Sequence, residues 1–479
     1  MKKFLIALLC LLMIGAMFSG CVATRNEEKE EAELQEILNS VDFDADSSYK
    51  GTLNIAMNEE PSEISIMNTF VEEFNKQYPN IEVKITNYAS SGYFGSLSSL
   101  HAAALNSGNF SGLPDVFWTA QDTSIEQSEL GMLMPINFFD EKDDSFTFDS
   151  LVNSMVEACT VGDRIYMMPR DYNQVTTYVN VELFENTTGL DIDDYLDHAM
   201  TVEEMEEIMK LFEGKTNEKG EPLYAFDIYW NWESILWPLV KSNGGELIEV
   251  TEDGAVSAAL ESQETFEAYR KVKEWAMKNY ITPLGSASCA MFANGRAAFA
   301  THSRPVMSDL LGYGNIQTLQ AIPFPQLGEE YWVGAGSSGY GMYRYAAHPT
   351  EAWLFLKSIV SQASQNAFCA SGAGVPILKD MISDKNSSFM TYTGEHLALN
   401  FNNAAFIYKY DTNSCTPMDY KKHLPVSSLT SVMNYFQESI VNAVNYTTAQ
   451  NYTDKERGIW RYLRSCDANV NNQIAQGSK

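Results

Sequence analysis

From Gly51 onward the sequence alternates short runs rich in β-branched residues with longer amphipathic runs, and this alternation constrains the fold most strongly. The run LNIAM is followed by SIMNTFVEEFNKQYP, whose apolar residues have helical spacing, and then by IEVKITNYA. A strand, a crossover helix and a second strand in this order form a βαβ unit, whose strands lie parallel in one sheet. The sequence therefore predicts an α/β protein with mixed, mainly parallel sheets flanked by helices.

The same alternation continues along the chain. We predict strands at DVFWTA, IYMMP, VTTYVN, YAFDIYW and AAFATH, and helices at VEEMEEIMKLF, ESQETFEAYRKVKEWAMKN, PTEAWLFLKSIVSQASQNAF and TDKERGIWRYLRSCDANVNNQI. A chain of 479 residues with 45% hydrophobic residues can bury a large core, and its length favours two lobes over one.

The charge balance excludes one class of partner. The chain has 63 acidic and 32 basic residues, which gives a formal net charge of -31. An acidic surface of this size repels the phosphate backbone of nucleic acids. We therefore expect no nucleic-acid partner.

The N-terminus predicts a signal peptide at residues 1–20, because a short basic region precedes one apolar run and small residues follow it. The ending FSGC resembles the lipobox of bacterial lipoproteins, although Phe18 stands where the pattern usually has Leu. This resemblance implies that Cys21 is diacylated and anchors the protein on the extracytoplasmic face of the cell membrane. Cleavage without lipidation is the alternative.

Residues 21–49 are polar and acidic, and we interpret them as a tether with a short helix in its middle. Removal of the leader and lipidation of Cys21 leave an odd number of cysteines with irregular spacing, which is not a disulfide framework. We interpret them as small apolar residues, with at most one or two chance bridges: Cys159, Cys289, Cys369, Cys415 and Cys466.

Motifs for catalysis, cofactors and metals are missing from the sequence. It contains no Walker loop and no HExxH, and its six histidines include no pair at metal-ligand spacing. The stretch VGAGSSGYG matches the dinucleotide pattern GxGxxG, but a strand-like run follows it and no helix begins before Pro349. We therefore expect no cofactor, no metal and no catalytic residues.

Six stretches occur in a fixed order along the chain: LPDVFWTAQD, LGMLMPI, GDRIYMMPRDYNQVTTYVNVELFENTTGL, MFANGRAAFATHSRP, IPFPQ and VGAGSSGYGMYRYAAHPTEAWLFLKSIVSQASQNAFCASGAGVPIL. In this order they resemble the extracellular solute-binding proteins of ABC sugar importers, the family that includes maltose-binding protein. The resemblance implies a two-lobed periplasmic-binding-protein-like fold that closes on a sugar and presents it to membrane permeases. We expect a monomer and a carbohydrate ligand.

The resemblance also implies how the lobes divide the chain. The predicted ranges are 50–171 and 339–390 for lobe 1, and 172–338 and 391–479 for lobe 2. Crossing strands are expected near residues 173–180 and 334–340. The glycines of the second crossing would then supply flexible backbone at a hinge and close approach to the ligand.

The resemblance suggests ligand contacts near the first strands of the chain. Trp118 follows PDVF, where similar proteins place a tryptophan that touches sugar, and Asp122 stands one residue beyond the position of their acid. A buried core position is the alternative for Trp118. Arg304 or Pro305 occupies the position of a stacking tryptophan, so Arg304 could bind a carboxylate or hydroxyl groups, or form a structural ion pair.

Asn173 occupies the position of a sugar-contacting glutamate, and Asp171 lies beside it. A carboxylate accepts hydrogen bonds from hydroxyl groups, whereas an amide both donates and accepts them, and hydroxyl-rich ligands need both. The alternative for Asp171 is a salt bridge to Arg170 or Arg164.

The stretch YWNWESILWP contains three tryptophans. We predict that Trp237 lies in the core, and that Trp230 and Trp232, on one face if the strand stays extended, form the sugar platform of lobe 2. Three further residues complete the set of candidate ligand contacts: Tyr93, Ser337 and Tyr340.

Other functions stay open at this point. Asp122, Asp171 and Glu233 could supply the paired carboxylates of a secreted carbohydrate-active enzyme. The same fold could instead bind a polyamine, an amino sugar or a phosphoester, or act as a receptor whose cleft binds no nutrient. We predict a sugar-binding protein without enzymatic activity.

Overall fold

The computed structural model describes residues 27–446 and 452–477. The signal peptide predicted at residues 1–20 and the lipidation predicted at Cys21 lie outside them. The chain divides into two units, residues 1–44 and 45–479. Within the first unit the run EEKEEAELQEILNS forms helix Glu27–Ser40, which confirms the helix predicted in the tether.

The second unit alternates strands and helices. Its strands are β1 (Gly51–Asn58), β2 (Ile81–Tyr88), β3 (Val116–Ala120), β4 (Thr160–Val161), β5 (Arg164–Ile165), β6 (Met168–Pro169), β7 (Asn173–Gln174), β8 (Thr176–Asn180), β9 (Tyr224–Asp227), β10 (Ile248–Val250), β11 (Val256–Ala258), β12 (Ala297–His302), β13 (Leu319–Ile322), β14 (Val333–Gly336), β15 (Ser338–Met342) and β16 (Ser414–Cys415).

The helices of the second unit are Pro61–Gln77, Tyr93–Ser107, Gln121–Glu129, Asn137–Asp140, Asn153–Ala158, Val181–Thr188, Val202–Leu211, Glu233–Ser242, Gln263–Met277, Ala290–Ala293, Met307–Gly312, Pro349–Ile359, Gln362–Ala370, Lys379–Ser383, Met418–Lys421, Leu429–Asn445 and Tyr452–Gly477. Short 3-10 helices lie at Ser90–Gly92, Phe148–Ser150, Ile192–Tyr195, Arg304–Val306, Asn403–Ile407 and Val426–Ser428.

One mixed sheet has the strand order β2-β1-β3-β15-β6. Strand β1 pairs in parallel with β2 and β3, whereas β15 runs antiparallel to β3 and β6. Helix Pro61–Gln77 connects β1 to β2, which confirms the predicted βαβ opening. Its residues Ile66, Phe70 and Phe74 are buried, and their spacing of four places them on the face that packs on the sheet.

A second mixed sheet has the order β13-β8-β12-β9. Strand β12 is parallel to β9 but antiparallel to β8, which in turn pairs antiparallel with β13. Parallel pairing therefore has a smaller share here than in the first sheet. Helix Val202–Leu211 begins with a capping box, in which the Thr201 side chain accepts from the Glu204 backbone and the Glu204 side chain accepts from that of Thr201.

The connections between the two sheets contribute strands to a short third sheet, with the order β16-β14-β7. Strand β7 follows β6 of the first sheet and precedes β8 of the second, and β14 leads directly into β15 of the first. Two stretches of chain thus run side by side from one lobe to the other. The residue limits given above for the two lobes stay predictions.

Three predicted elements differ from those observed. The run IYMMP contributes to two short strands, Arg164–Ile165 and Met168–Pro169, which pair in different sheets. The run PTEAWLFLKSIVSQASQNAF forms two helices, because the Ser361 side chain accepts from the Ser364 backbone and begins a new helix there. The run YAFDIYW is extended only as far as Asp227, and the chain turns before the next helix begins at Glu233.

Within the described ranges, Cys159, Cys289, Cys369, Cys415 and Cys466 are buried and free. Burial raises the pKa of the Cys289 and Cys369 thiols to about 12. Their interpretation as small apolar residues is confirmed. Within these ranges no helix is long and apolar enough to cross a membrane, and no group of three or more His, Cys, Asp or Glu side chains is arranged to hold a metal ion.

Candidate functional site

The candidate site is built around the two crossing strands. Strand β7 runs antiparallel to β14, with Asn173 opposite Gly336 and Gln174 opposite Ala335. The pairing fixes the two crossings to each other at the point where the lobes meet. Side chains at this point can therefore contact residues of both lobes.

The first turns of two helices lie against β14, one from each lobe. A Cβ atom at Gly336 would lie 2.8 Å from Nε2 of Gln121, the first residue of helix Gln121–Glu129. A Cβ atom at Gly334 would overlap the carbonyl oxygen of Ser234, in the first turn of helix Glu233–Ser242. Close approach of a backbone carbonyl therefore accounts for Gly334, whereas the contact at Gly336 is with a side chain. Asp122 and Glu233 lie in these first turns, so both are close to β14.

A buried network of charges lies on the first crossing. Arg170 is bound by both oxygens of Glu63, and its Nη2 donates to Oε1 at 2.8 Å. Its Nε donates to Oδ2 of Asp171 at 3.3 Å. Asp171 also accepts from Ser337 Oγ at 3.0 Å and from Asn173 Nδ2 at 2.7 Å. Asp171 thus has the salt bridge to Arg170 that the sequence left open.

The charges in this network perturb one another. Burial raises the pKa of Asp171, and the Arg170 guanidinium offsets only part of that increase. Burial works to lower the pKa of Arg170, but the carboxylates of Glu63 and Asp171 raise it well above its ordinary value. The guanidinium therefore stays charged and holds the crossing in place.

Asn173 offers an acceptor beside this network. Its amide nitrogen is used by Asp171, whereas its Oδ1 is buried and has no hydrogen-bond partner among the described residues. Buried polar atoms are normally paired, so an atom of this kind marks a place where a ligand or a water can bind.

Trp118, the middle residue of β3, forms an aromatic shelf. Its ring stacks on Phe94 with centroids 5.5 Å apart, and Tyr93 meets it edge-on at 5.6 Å. Tyr93 itself is buried, and its hydroxyl donates to the carbonyl oxygens of Ala56 and Trp118. The half-buried Trp118 has an Nε1 atom that is buried and without a hydrogen-bond partner in the part of the chain described.

Tyr340 is placed opposite Trp118 in the pairing of β15 with β3. Its ring is fully buried, and it meets Phe70 and Phe355 edge-on at 6.2 Å. Burial raises the pKa of its phenol, and the nearby Arg170 charge opposes this increase. Tyr340 therefore supports the Arg170 network from the core of lobe 1.

A second group of charges joins the two lobes. Lys421 Nζ lies 3.1 Å from Oε2 of Glu233 and 3.7 Å from Oδ2 of Asp122. The hydroxyl of Tyr420 donates to the same Glu233 oxygen at 2.6 Å. Asp122 keeps 43% of its side chain exposed, whereas Lys421 and Glu233 keep 5% and 9%. Asp122 is thus the carboxylate of this group that solvent reaches most easily.

The three tryptophans of YWNWESILWP occupy different environments. Trp237 is buried and meets Tyr420 edge-on at 5.1 Å, which confirms the predicted core position. Trp230 is also in the core, 1% exposed and 6.0 Å from the Trp275 ring. Trp232 is half-buried and stacks on His302 at 4.9 Å. The prediction that Trp230 and Trp232 share one strand face is wrong, because β9 ends before them.

Arg304 is fully buried away from carboxylates. Its Nε donates to the Gly372 carbonyl at 3.1 Å, and its Nη1 donates to Asn403 Oδ1 at 2.9 Å. Three aromatic rings surround the guanidinium at 4.7 to 5.1 Å, those of Phe389, Tyr392 and Phe406. Burial lowers the pKa of Arg304 to about 10. None of these partners belongs to the two groups of charges described above.

The structure thus gathers Asp122, Asp171, Asn173 and Ser337 around the crossing strands, with Trp118 in the middle of β3, which pairs with β15. Sequence reasoning missed three residues that complete these groups: Glu63, Gln121 and Lys421. Glu63 binds a partner 107 positions away, and Lys421 binds one 188 positions away, so no local motif could have shown either contact.

Solved structures with the same fold come from several bacteria. An ABC substrate-binding protein from Listeria monocytogenes, solved in complex with cycloalternan, has a TM-score of 0.68 at 16% identity, with 89% of this chain and 100% of that chain covered. The cyclic α-maltosyl-1,6-maltose binding protein from Arthrobacter globiformis has a TM-score of 0.69 at 14% identity, with 89% and 100% covered. The GacH receptor of Streptomyces glaucescens, solved unliganded and with acarbose, has a TM-score of 0.66 at 15% identity, with 89% and 99% covered. These similarities show a two-lobed periplasmic-binding-protein-like fold.

The sequence profile described as bacterial extracellular solute-binding protein matches residues 69–391. The match covers more than half of the chain, and it includes the crossing strands β7 and β14. It also places the protein on the extracytoplasmic side of the cell membrane. The chain belongs to the bacterial extracellular solute-binding protein family.

Proposed function

We propose that this protein is the solute-binding component of an ABC importer that captures a sugar or an oligosaccharide between its lobes and delivers it to separate permeases. Members of the family bind solutes, and the similar structures named above were solved with, or named for, cycloalternan, acarbose and cyclic α-maltosyl-1,6-maltose. A cleft between two lobes is a common site for small ligands, and closure of the lobes signals that the ligand is bound.

The observation that carries this proposal is that two buried polar atoms, Trp118 Nε1 and Asn173 Oδ1, have no hydrogen-bond partner among the described residues. A sugar presents apolar C–H faces and hydroxyl groups that both donate and accept hydrogen bonds. The Trp118 ring can cover a C–H face while its Nε1 donates to a hydroxyl group. Asn173 Oδ1 and the Asp122 carboxylate can accept from others.

Ligand contacts are proposed for Trp118, Asp122, Asn173 and Trp232. Four other candidates are buried, and their polar groups bind protein atoms or lie in the core. We propose that they hold the ligand-contacting residues in position: Tyr93, Asp171, Ser337 and Tyr340. Trp230 and Arg304 are left out of the proposed site, because the ring of the first and the guanidinium of the second are enclosed by other side chains.

No reaction on the ligand is part of the proposal. Of the three carboxylates that could supply paired acids, Asp171 is bound to Arg170 and Ser337, and Glu233 to Lys421 and Tyr420. Carboxylates held in this way favour a binding site over the carboxylate pair of a glycosidase. The rest of the proposal is a monomer, anchored through a lipid on Cys21.

A thermal-shift screen of the purified protein against mono- and oligosaccharides tests the proposal. A ligand that binds the native state stabilises it by about 2.7 kcal/mol at a hundredfold excess over its dissociation constant. Trp118→Ala should weaken binding of the best carbohydrate by about tenfold or more, which corresponds to about 1.4 kcal/mol.

Trp460→Ala is the matched control, because Trp460 is also half-buried and also stacks on a phenylalanine, Phe266, at 4.8 Å. Its loss should leave carbohydrate binding unchanged. The sugar proposal fails if no carbohydrate shifts the melting temperature while a phosphoester or polyamine does, and release of products from a glycan would refute a pure binding function.

A further inference from the structure

Lys421 is a cation that the protein places between two carboxylates of the candidate cleft. Its Nζ lies 3.1 Å from Glu233 and 3.7 Å from Asp122, and its side chain is 5% exposed. It lies at the end of the short helix Met418–Lys421, which follows strand β16 on the edge of the crossing sheet. The sulfur of Met433 lies 3.7 Å away on another side.

The two carboxylates belong to different lobes. Asp122 lies in the first turn of the helix after β3, which belongs to the first sheet, and Glu233 begins the helix after β9, which belongs to the second. Lys421 therefore connects the two helix starts that lie against β14. Its ammonium is therefore buried between these two helix starts.

The charges at this point depend on Lys421. With the lysine in place, two carboxylates face one ammonium, and buried Glu233 has both an ion pair and the Tyr420 hydrogen bond. Without it, Glu233 would be a buried carboxylate with no cationic partner, which is strongly unfavourable. A ligand that brings an ammonium group would relieve that state by taking the place of Lys421.

We propose that Lys421 determines the class of ligand: by pairing with Glu233 and Asp122 it occupies the position of a ligand ammonium, so the cleft accepts neutral polyhydroxyl ligands and rejects polyamines and amino sugars. This inference rests on the proposed function and narrows it. The lysine repels a cationic ligand by its charge, while the exposed part of Asp122 still accepts hydrogen bonds from hydroxyl groups. The net charge of -31 therefore does not favour a cationic ligand in the cleft.

Calorimetric titration of the purified protein with spermidine tests this inference. Wild-type protein should bind spermidine weakly, and Lys421→Gln should bind it about tenfold tighter or more, because two carboxylates then lack their cation. Lys421→Arg should behave as wild type, since the positive charge is restored. The double variant Lys421→Gln with Glu233→Gln should lose the gain.

Lys84→Gln is the control for a change of one charge, because Lys84 is exposed and pairs with Glu82 on the surface at 3.1 Å. It should bind spermidine as wild type does. Equal spermidine affinity in wild type and Lys421→Gln overturns the inference, as does a gain that persists in the double variant.

The outcomes separate this inference from the proposed function. If wild type binds no carbohydrate but Lys421→Gln gains spermidine binding that requires Glu233, the sugar proposal fails and the role of Lys421 stands. If Lys421→Gln does not fold, competition on wild type decides: spermidine that displaces a bound carbohydrate overturns the inference, and spermidine that leaves it bound supports it.

Discussion

At the scale of single residues, burial separates side chains that look alike in the sequence. Trp230, Trp232 and Trp237 lie within eight positions, yet the first and third are core residues, whereas the second stays half-buried beside His302. Burial of a large ring contributes to stability, and a partly open ring can also contact a ligand.

Alanine substitutions should separate these roles. Trp230→Ala and Trp237→Ala should each lower the free energy of unfolding by about 3–5 kcal/mol, as loss of a buried aromatic side chain does. Trp232→Ala should cost only about 1 kcal/mol of stability, because the site is half-open, and should weaken carbohydrate binding. Urea denaturation and calorimetric titration measure the two effects.

The separation would be contradicted by equal loss of stability in all three variants, or by unchanged affinity in Trp232→Ala. The core position of Trp237 could be predicted from the sequence, since this residue precedes a proline within an apolar run. The core position of Trp230 could not be predicted, because it depends on where β9 ends. The apolar and aromatic residues that follow Asp227 are compatible with a longer strand.

At the scale of elements, glycines set how closely the crossing strands approach their neighbours. A Cβ atom at Gly334 would overlap the Ser234 carbonyl, and one at Gly339 would overlap the Met168 carbonyl. A Cβ atom at Gly336 would meet the side-chain amide of Gln121, which can move. At Gly334 and Gly339, two of the three glycines in the GxGxxG pattern, the need for glycine therefore comes from close packing on a neighbouring backbone.

Gly334→Ala and Gly339→Ala should each destabilise the protein by about 1–3 kcal/mol, because overpacking displaces a backbone carbonyl. Gly336→Ala is the matched control, and it should cost about 1 kcal/mol or less, since a side chain can give way. Thermal unfolding of the three variants measures the difference. Equal destabilisation by all three would show that something other than these contacts requires glycine.

The periodicity of the sequence predicted most strands and helices but not how they meet. The βαβ opening and the long helices follow from local spacing of apolar residues, which is a property of adjacent positions. The break at Ser361 was missed because one hydroxyl group decides it. The contacts of Lys421 were missed because 188 and 299 positions separate it from Glu233 and Asp122, and no local pattern marks such pairs.

At the scale of the whole molecule, the proposed lipid anchor would determine where the protein works. The family is extracytoplasmic. A diacylated cysteine provides two acyl chains, which together suffice for stable attachment to a membrane, whereas one chain gives only marginal binding. The proposed anchor would keep the protein near its permeases.

Cys21→Ser should release the protein from the membrane fraction of a bacterial host and abolish incorporation of labelled palmitate. The change removes the thiol that would carry the lipid and leaves residues 45–479 unaltered. Fractionation and labelling of wild type and variant measure both effects. Membrane attachment that survives the substitution would contradict the proposed anchor, and Cys159→Ser, at a buried position, should leave labelling intact.

The buried thiols described above have a practical consequence for measuring the proposed closure of the two lobes. A thiol whose pKa is raised to about 12, as for Cys289 and Cys369, presents almost no thiolate to a maleimide dye at neutral pH. Two cysteines introduced on the outer surfaces of the two lobes would therefore react in preference to the five buried cysteines of the described ranges. Energy transfer between the attached dyes could then follow the movement of the lobes in real time.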